Sequence, residues 1–233
     1  MYDVSATWMT LIADQNRTFE TKVAINGVEY GQSQIMSLAI ERRMFSAEYP
    51  VVGACLSAEI RLSMLKPGAV IPRMASIIPY SRVTNGTTTS EWIPQGTFYI
   101  DTRDTTNNDD SLPILTLHGY DAMLKTEADY PSTSHAWPYA DTDVVQEIAT
   151  TIGVTVDART WDVMVNNYQI SLPAGYSMRE VLGNIGAMYA GDWVMTYDGE
   201  LLLVTISGIP PETNYLIDNA SQAITFGGDR ILV

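Results

Sequence analysis

QGTFYIDTRDTTNNDDSLPILTLHGYDAMLKTEADY, from Gln95 to Tyr130, is the stretch that decides the fold. It begins with two β-like runs, Thr97–Arg103 and Leu112–His118, on either side of a polar, Asn- and Asp-rich turn. It then passes through Gly119–Asp121 into a segment with helical spacing. The chain is almost wholly strand-like before this junction, and two helices are indicated after it. The pattern therefore predicts a sheet interrupted by a helix-bearing insertion.

The residues before this stretch indicate antiparallel strands. In Thr18–Ile25, the side chains of Phe19, Val23 and Ile25 share one face and charged side chains occupy the other. Asn26-Gly27 follows, and these residues tolerate the positive φ angles of a tight hairpin turn. This segment therefore predicts a strand with one buried face and a hairpin at its end.

Four more runs extend the sheet. Leu56–Met64 has the cleanest alternation, and Met36–Ile40 alternates with Met36 on its apolar face. Further strands are predicted within Val70–Tyr80 and Trp92–Arg103. Five or six antiparallel strands without a convincing helix favour a barrel or a sandwich.

The insertion contains two helices with clear boundaries. Short acidic side chains at Asp141–Asp143 favour a helix start, and Gly153 ends the helix. Ser177 and Glu180 form a capping box at the start of the second helix, and Gly191 is predicted to end it. Each helix carries an apolar stripe. The stripes are Val144, Val145, Ile148, Ala149 and Ile152 in the first, and Met178, Val181, Leu182, Ile185 and Met188/Tyr189 in the second.

A hairpin and two short strands complete the pattern. Asp198-Gly199 joins two β-like runs, which predicts a hairpin after the second helix. Beyond a Gly/Pro break, Tyr215–Ile217 and Ala223–Phe226 are predicted as returning strands. The chain thus divides into residues 1–118, a β-barrel tube domain; 119–206, the α+β insertion; and 207–233, strands that complete the barrel or start a second one. The fold class is mainly β, α+β.

The charge of −14 lies in one part of the chain. Residues 1–100 contain eight Lys/Arg and eight Asp/Glu, whereas residues 101–233 contain five and nineteen. An acidic surface repels nucleic acid, so specific nucleic-acid binding is not expected. No apolar run approaches the ~20 residues that span a bilayer, so membrane insertion is not expected either. Cys55 is the single cysteine, which excludes an intramolecular disulfide.

The sequence offers little for catalysis. Neither His118 nor His135 has a Cys or carboxylate at metal-ligand spacing, and the common nucleotide-binding and hydrolase motifs are missing. Asp121 is interpreted as the cap of the short helix after it, and Cys55 as a small core residue. We therefore expect no enzymatic activity and no catalytic, cofactor-binding or metal-binding residues.

The order of these parts resembles the N-terminal hub module of tailed-bacteriophage and prophage baseplates, also called the tail-associated or tail-tip protein. The resemblance covers nearly the whole chain and is most specific over residues 95–206. It is carried by the Gly-x-Phe-x-Ile-Asp strand (Gly96–Asp101), the strand running into Gly119-Tyr120-Asp121, the aromatic Tyr/Pro segment, the Val-Val-x-x-Ile helix ending in Gly153, the extended Tyr168 and Ile170, the Ser-x-Arg-Glu-Val-Leu helix and the Asp-Gly hairpin.

The resemblance implies a noncatalytic structural protein of the virion tail, synthesised in the bacterial host cytoplasm. It implies a homotrimer that surrounds the DNA channel, with the distal tail or tube protein above it and a tip or spike below. It also implies two similar barrels per subunit, whereas residues 227–233 provide only the beginning of a second. No peptidoglycan-cleaving domain is visible in the sequence.

Two alternatives remain open at this stage. A pair among the nineteen acidic residues beyond residue 100 would suit a glycan hydrolase of the tail tip. The aromatic residues Tyr130, Trp137, Tyr139 and Trp161 would instead suit a module that binds cell-wall glycan, although such residues more often pack in a loop. The hydrolase predicts cleavage of cell wall, and the binding module predicts saturable quenching of Trp fluorescence.

Overall fold

The structure is a computed structural model that describes residues 4–43, 51–106, 112–131 and 136–205, together with the backbone of 225–226 and 229–230. The strands are β1 (Thr18–Ile25), β2 (Val28–Tyr30), β3 (Ile35–Glu41), β4 (Cys55–Leu56), β5 (Glu59–Leu65), β6 (Ser76–Thr84), β7 (Ile93–Pro94), β8 (Phe98–Thr106), β9 (Ile114–Tyr120), β10 (Tyr139–Ala140), β11 (Gln169–Ile170), β12 (Gly191–Met195), β13 (Leu201–Thr205), β14 (Thr225–Phe226) and β15 (Asp229–Arg230). The helices are α1 (Ala6–Ile12), α2 (Asp141–Ile152), α3 (Arg159–Val163) and α4 (Met178–Met188), with 3-10 helices at Gln32–Gln34 and Ala122–Glu127.

One large antiparallel sheet is built from strands that lie within the first 120 residues. Its strand order is β2-β1-β6-β8-β9-β5-β3, and β7 pairs with β6 outside this path. The predicted hairpin at Asn26-Gly27 is confirmed, with φ angles of 48° and 82°. The predicted strands around residues 97–103 and 112–118 are β8 and β9, which pair with each other. The mainly β, α+β class predicted from the sequence is therefore confirmed.

The large sheet is curled. Its two edge strands, β2 and β3, are joined by residues 31–34 alone. An extended chain advances at most about 3.6 Å per residue, so the steps from Tyr30 to Ile35 span roughly 18 Å. A flat sheet with this strand order would hold the two edges about 29 Å apart, because neighbouring strands lie ~4.8 Å apart. The edges must therefore approach each other, although no pairing joins β2 to β3 and the described sheet is not a closed barrel.

The core of the curled sheet is made by the sheet and its loops, without a helical residue. Its buried members are Val23, Ile25, Tyr30, Ala58, Ile60, Leu62, Met64, Ile71, Ala75, Ile77, Phe98, Ile100, Leu115 and Leu117. An apolar sheet face must be covered by another layer or by the sheet itself. Since no helix contributes here, the curl is what removes this face from water.

Three details of the sheet differ from the sequence prediction. Met36 does not lie on the core face, because a β-bulge between Ile35 and Ser37 shifts the alternation and leaves Met36 58 % exposed. Phe19 is also exposed, beyond the part of β1 that reaches the core. The strand predicted from Val70 begins only at Ser76, after the positive φ of 55° at Met74.

The insertion forms an α/β layer with its own core. α2 and α4 bury both predicted stripes, except that Met188 is exposed. β13 and β12 form the predicted hairpin, and β4 adds a parallel strand beside β12. The buried members of this core are Cys55, Ala122, Met123, Tyr130, Val144, Val145, Ile148, Ala149, Ile152, Met164, Met178, Val181, Leu182, Ile185, Tyr189, Trp193, Met195, Leu201 and Leu203.

The helix boundaries agree with the sequence at three of four ends. α2 carries Asp141 and Asp143 in its first turn and ends at Gly153, which has a φ of 77°. The Ser177–Glu180 capping box is present. Gly191 does not end α4 but begins β12, because the helix stops at Met188. A Cβ at Gly191 would lie 2.7 Å from the carbonyl oxygen of Val204, so glycine permits the close pairing of β12 with β13.

The C-terminal strands are described only in part. β14 and β15 pair with each other, and neither pairs with the large sheet in the described part of the chain. The strand predicted at Tyr215–Ile217 lies outside the described residues. The division into residues 1–118, 119–206 and 207–233 therefore stays a prediction. None of the helices in the described ranges is long and apolar enough to cross a membrane.

Candidate functional site: the junction between the curled sheet and the α/β layer

The Gly-x-Phe-x-Ile-Asp strand is where the two layers meet. Gly96 has a φ of 108°, and a Cβ there would lie 2.8 Å from Nη2 of Arg42. Arg42 donates a 2.5 Å hydrogen bond to the carbonyl oxygen of Gln95. Its guanidinium lies 5.7 Å from the ring centroid of Phe98 and 4.2 Å from that of Tyr197, next to the β12–β13 hairpin turn. Arg42 therefore connects the end of β3, the start of β8 and the α/β layer.

A second cation makes the same kind of connection from the opposite side. Nζ of Lys125 lies 3.8 Å from the ring centroid of Tyr99 in β8 and donates a 2.9 Å hydrogen bond to the carbonyl oxygen of Ile152. That carbonyl is at the C-terminal end of α2, where a positive charge is favoured by the helix dipole. Gly119 lies beside Tyr99, and a Cβ at Gly119 would collide with the Tyr99 carbonyl oxygen. The glycine of the Gly-Tyr-Asp motif thus permits the close approach of β9 to β8.

Asp121 is the buried cap of the short helix, as the sequence predicted. Its carboxylate accepts hydrogen bonds from the backbone N–H of Met123 (3.0 Å) and of Ala58 (2.7 Å), and it is 4 % exposed. Burial raises the pKa of Asp121 to about 6, against the opposing effect of these N–H donors and of Arg42 and Arg179. The carboxylate therefore joins the start of β5 to the helix that follows β9.

Residues 51–58, here called the strap, cross from the sheet to the α/β layer. Arg179 of α4 donates hydrogen bonds to the carbonyl oxygen of Cys55 (2.6 Å) and to Oε1 of Glu127 (2.9 Å). A Cβ at Gly183 would lie 2.6 Å from the carbonyl oxygen of Gly53, so two glycines allow the strap to touch the helix backbone. The strap is thereby fixed along its length, and with it the parallel strand β4.

The strap contains Cys55, and its surroundings there show whether the thiol can react. Cys55 is buried, and its Sγ lies 3.5 Å from the carbonyl oxygen of Arg179. Burial raises the pKa of the thiol to about 12, so it stays protonated at neutral pH. A cavity of about 380 Å³ adjoins it, lined on its polar side by Glu41, Arg43, Glu59, Glu127 and Arg179. Cys55 is a core residue rather than a nucleophile in this cavity.

The aromatic segment of the insertion packs on the core of the α/β layer. Trp137 makes edge-to-face contacts with Tyr130 and Tyr139, with ring centroids 6.2 and 5.9 Å apart. Trp137, Tyr139 and Trp161 are partly buried against the core, and Tyr130 belongs to it. These rings are used for packing, which is the structural alternative that the sequence left open.

Three acidic residues of the insertion, Asp141, Glu147 and Asp157, have structural partners. The Tyr189 hydroxyl donates a 2.5 Å hydrogen bond to Asp141, which is fully buried. Burial raises the pKa of Tyr189, and the hydrogen bond to Asp141 raises it further. The phenol therefore stays protonated and acts as the donor. Tyr130 donates to Glu147 in the same manner, and Arg159 pairs with Asp157 at 2.5 Å. Among the described residues, no group of three His, Cys, Asp or Glu side chains is placed to hold a metal ion.

His118, the histidine within the described residues, is not among the side chains that connect the two layers. His118 lies on the sheet, where its Nε2 is 2.8 Å from Oε1 of Glu59 and its ring contacts Tyr120. His135 lies outside the described residues. Arg42 and Lys125 were not predicted from the sequence, because a cation that stacks on a ring 26 or more positions away in the chain leaves no local pattern. The sequence feature that could have indicated this contact is Gly96, because the lack of a side chain there leaves room for Arg42.

Comparison with solved structures places this fold among tail proteins. The chain is similar to the 43 kDa tail protein of prophage MuSo2 from Shewanella oneidensis, with a TM-score of 0.55 and 13% identity over 80% of this chain and 53% of that one. It is similar to the tail protein from Neisseria meningitidis MC58, with a TM-score of 0.52 and 13% identity over 88% and 54%. It is also similar to the prophage tail protein gp18 from Listeria monocytogenes, with a TM-score of 0.50 and 8% identity over 86% and 55%.

These similarities confirm the resemblance to tail-associated proteins at the level of the fold. The chain spans about half the length of each of these tail proteins. No family model matches the chain. No curated protein matches it either.

Proposed function

We propose that the chain is a structural hub protein of a phage or prophage tail baseplate or tip, assembling as a ring that connects the tail tube to the tip and surrounds the DNA channel. The observation that carries this proposal is the shared fold: three prophage or bacterial tail proteins match over 80–88% of the chain. The sequence resemblance points to the same class.

The curled sheet would be the tube domain of this hub. The short connection of residues 31–34 brings its two edge strands toward each other, which supports this assignment although the edges do not pair. We propose that residues 207–233 complete it, because β14 and β15 are too short to bury a core of their own. The α/β layer of residues 119–206 would be a rigid outgrowth of the wall, since Arg42, Lys125, Asp121 and the strap hold it at four points.

Assembly would use the charge-balanced part of the chain. Uncompensated charge is costly to bury, so residues 1–100 suit subunit contacts in a homotrimer better than residues 101–233. The acidic surplus suits a channel wall or outer surface that does not adhere to DNA, because a conduit lined with Lys and Arg would bind the genome by counterion release. The neighbours would be a distal tail or tube protein on one side and a tip or spike on the other.

The test is the mass of the full chain in solution, measured alone and with the neighbouring tail-tube protein from the same gene cluster. A hub gives a trimer, or a defined complex with the tube protein. A monomer that ignores the tube protein at micromolar concentration would overturn the proposal. Cell-wall hydrolysis, or saturable quenching of Trp fluorescence by glycan fragments, would instead support the glycan alternatives. The packing of Trp137 and Tyr139 speaks against the second of these.

A further inference from the structure

The facing edges of β2 and β3, here called the seam, leave the core of the curled sheet incomplete. On β5 the core residues Ile60, Leu62 and Met64 are fully buried. Their neighbours on β3 are only partly buried, although they pack against the same cluster; these are Ile35, Leu38 and Ile40. The solvent therefore reaches the core along β3 and not along β5.

The outer edge of β3 has no paired strand among the described residues, and such an edge favours aggregation. It spans seven residues, contains no proline and carries a single charge, at Glu41. Natural proteins cover such edges or interrupt them with charge and proline, because an open ladder of N–H and C=O groups pairs with other chains. The bulge at Met36 affects only the first part of β3. The rest of the strand needs a cover.

In the described part of the chain, β14 and β15 pair with each other and with no larger sheet. β14 and β15 pair antiparallel through Thr225–Arg230 and Phe226–Asp229, and Gly227-Gly228 stands between them in the sequence. A two-stranded hairpin is at best marginally stable alone in water. Its sequence continues with apolar residues on both sides, at Ala223-Ile224 and Ile231-Leu232-Val233. It is therefore a piece of sheet with apolar flanks and with unpaired outer edges in the described part of the chain.

We propose that the segment of residues 223–233, which contains β14 and β15, docks in the seam of its own chain and pairs with β3. The path from β2 to β3 contains seven strands. One or two more bring the total to eight or nine, the range in which side chains just fill the interior of a barrel. The docked strands would then cover the partly buried apolar side chains of β3 at the seam. This inference deepens the proposed closure of the tube domain and rests on it, but it does not depend on the role in a tail.

Hydrogen exchange of the β3 amides in the full chain, followed by NMR, tests the docking. In an uncovered edge strand only the amides directed at β5 are protected, so protection alternates along residues 37–41. A docked hairpin protects consecutive amides. We expect consecutive protection in the full chain at a concentration where it is monomeric, and alternate protection in the variant Ile224→Asp. The amides of α2 serve as the reference that the variant is still folded.

The control is Ser221→Asp, which adds the same charge outside the hairpin and should leave the consecutive protection unchanged. Alternate protection in the parent chain would overturn the proposal, as would consecutive protection that survives in Ile224→Asp. Protection that disappears on dilution would assign the seam to a second copy and would overturn it too. Failure here with a normal trimer or tube-protein complex would refute the docking alone, since the assembly test measures mass and partner binding.

Discussion

Among the described residues, the α/β layer covers its edge strand β13, whereas the curled sheet leaves its edge strand β3 uncovered. In the α/β layer, the hydroxyl of Thr160 accepts a 3.2 Å hydrogen bond from the N–H of Leu203 and lies 3.5 Å from the carbonyl oxygen of Leu201. A side chain of α3 thus takes the place of a neighbouring strand along β13. In the sheet, β3 has no such cover among the described residues. Within the described residues, the edge of the α/β layer is therefore covered by the layer itself, whereas a cover for β3 is a matter of the proposal above.

The largest expected effect comes from removing residues 207–233. The curled sheet should lose cooperative unfolding, because its core is open at the seam, while the α/β layer should keep its core. Calorimetry and hydrogen exchange on the truncated chain check this, with the amides of α2 as the internal control. A truncated protein that melts as sharply as its parent would show that the segments share no core.

The next effect concerns the helix stripes. Ile148→Ala and Leu182→Ala should each lower the free energy of unfolding by about 2–4 kcal/mol, because both side chains are fully buried and each truncation leaves a cavity. Met188→Ala is the matched control on α4, since Met188 is 43 % exposed and its loss should cost much less. Urea denaturation measures all three. If the buried pair left the midpoint unchanged, the two stripes would not form the core of this layer.

The junction offers a matched pair of neighbouring arginines. Arg42→Ala should cost about 1 kcal/mol, because it removes two ring contacts and a hydrogen bond at an exposed position. Arg43→Ala should change stability by less than about 0.5 kcal/mol, since the contact that Arg43 makes among the described residues is an exposed pair with Glu41. Equal effects would contradict the role given to Arg42. A double-mutant cycle with Tyr197→Ala then isolates the contact across the junction.

The raised pKa of Asp121 predicts that stability depends on pH, by about as much as Arg42→Ala is expected to cost. Its folded-state pKa of about 6 lies above the unfolded value of 3.8, so its contribution favours the folded state at low pH and is lost as the pH rises through 6. The stability of the parent relative to Asp121→Asn should therefore fall by about 1 kcal/mol between pH 5 and pH 7.5. Denaturation at both pH values measures this difference. A difference that rises with pH would mean that the carboxylate is stabilised as an ion instead.

The last prediction is that the protein does not bind DNA. The full chain should show no measurable affinity for double-stranded DNA at physiological salt, because the whole charge of −14 lies beyond residue 100. Fluorescence anisotropy with a short duplex measures this. Measurable binding, or a channel lined mainly by Lys and Arg in a trimer, would remove the proposed role of the acidic surface and leave the fold assignment untouched.

The sequence by itself determined the elements that depend on local spacing. The alternation of apolar and polar residues predicted β1, β5, β8 and β9, and capping residues predicted the start of α4 and the end of α2. Each of these patterns involves residues within a few positions of one another. The buried stripes and the cap at Asp121 followed from the same local patterns. The order of these elements was enough to indicate the tail-protein fold.

Only the tertiary structure decided how distant segments meet. The pairing of β4 with β12 joins residues more than 130 positions apart, and no pattern in Cys55-Leu56 predicts it. The bulge at Met36, the close pairing at Gly191 and the stacking of Arg42 likewise depend on a partner strand or ring. Periodicity reports which side of an element is apolar, whereas the choice of neighbour depends on shape and on contacts between elements. That is why the sequence predicted both layers and the structure alone revealed the junction between them.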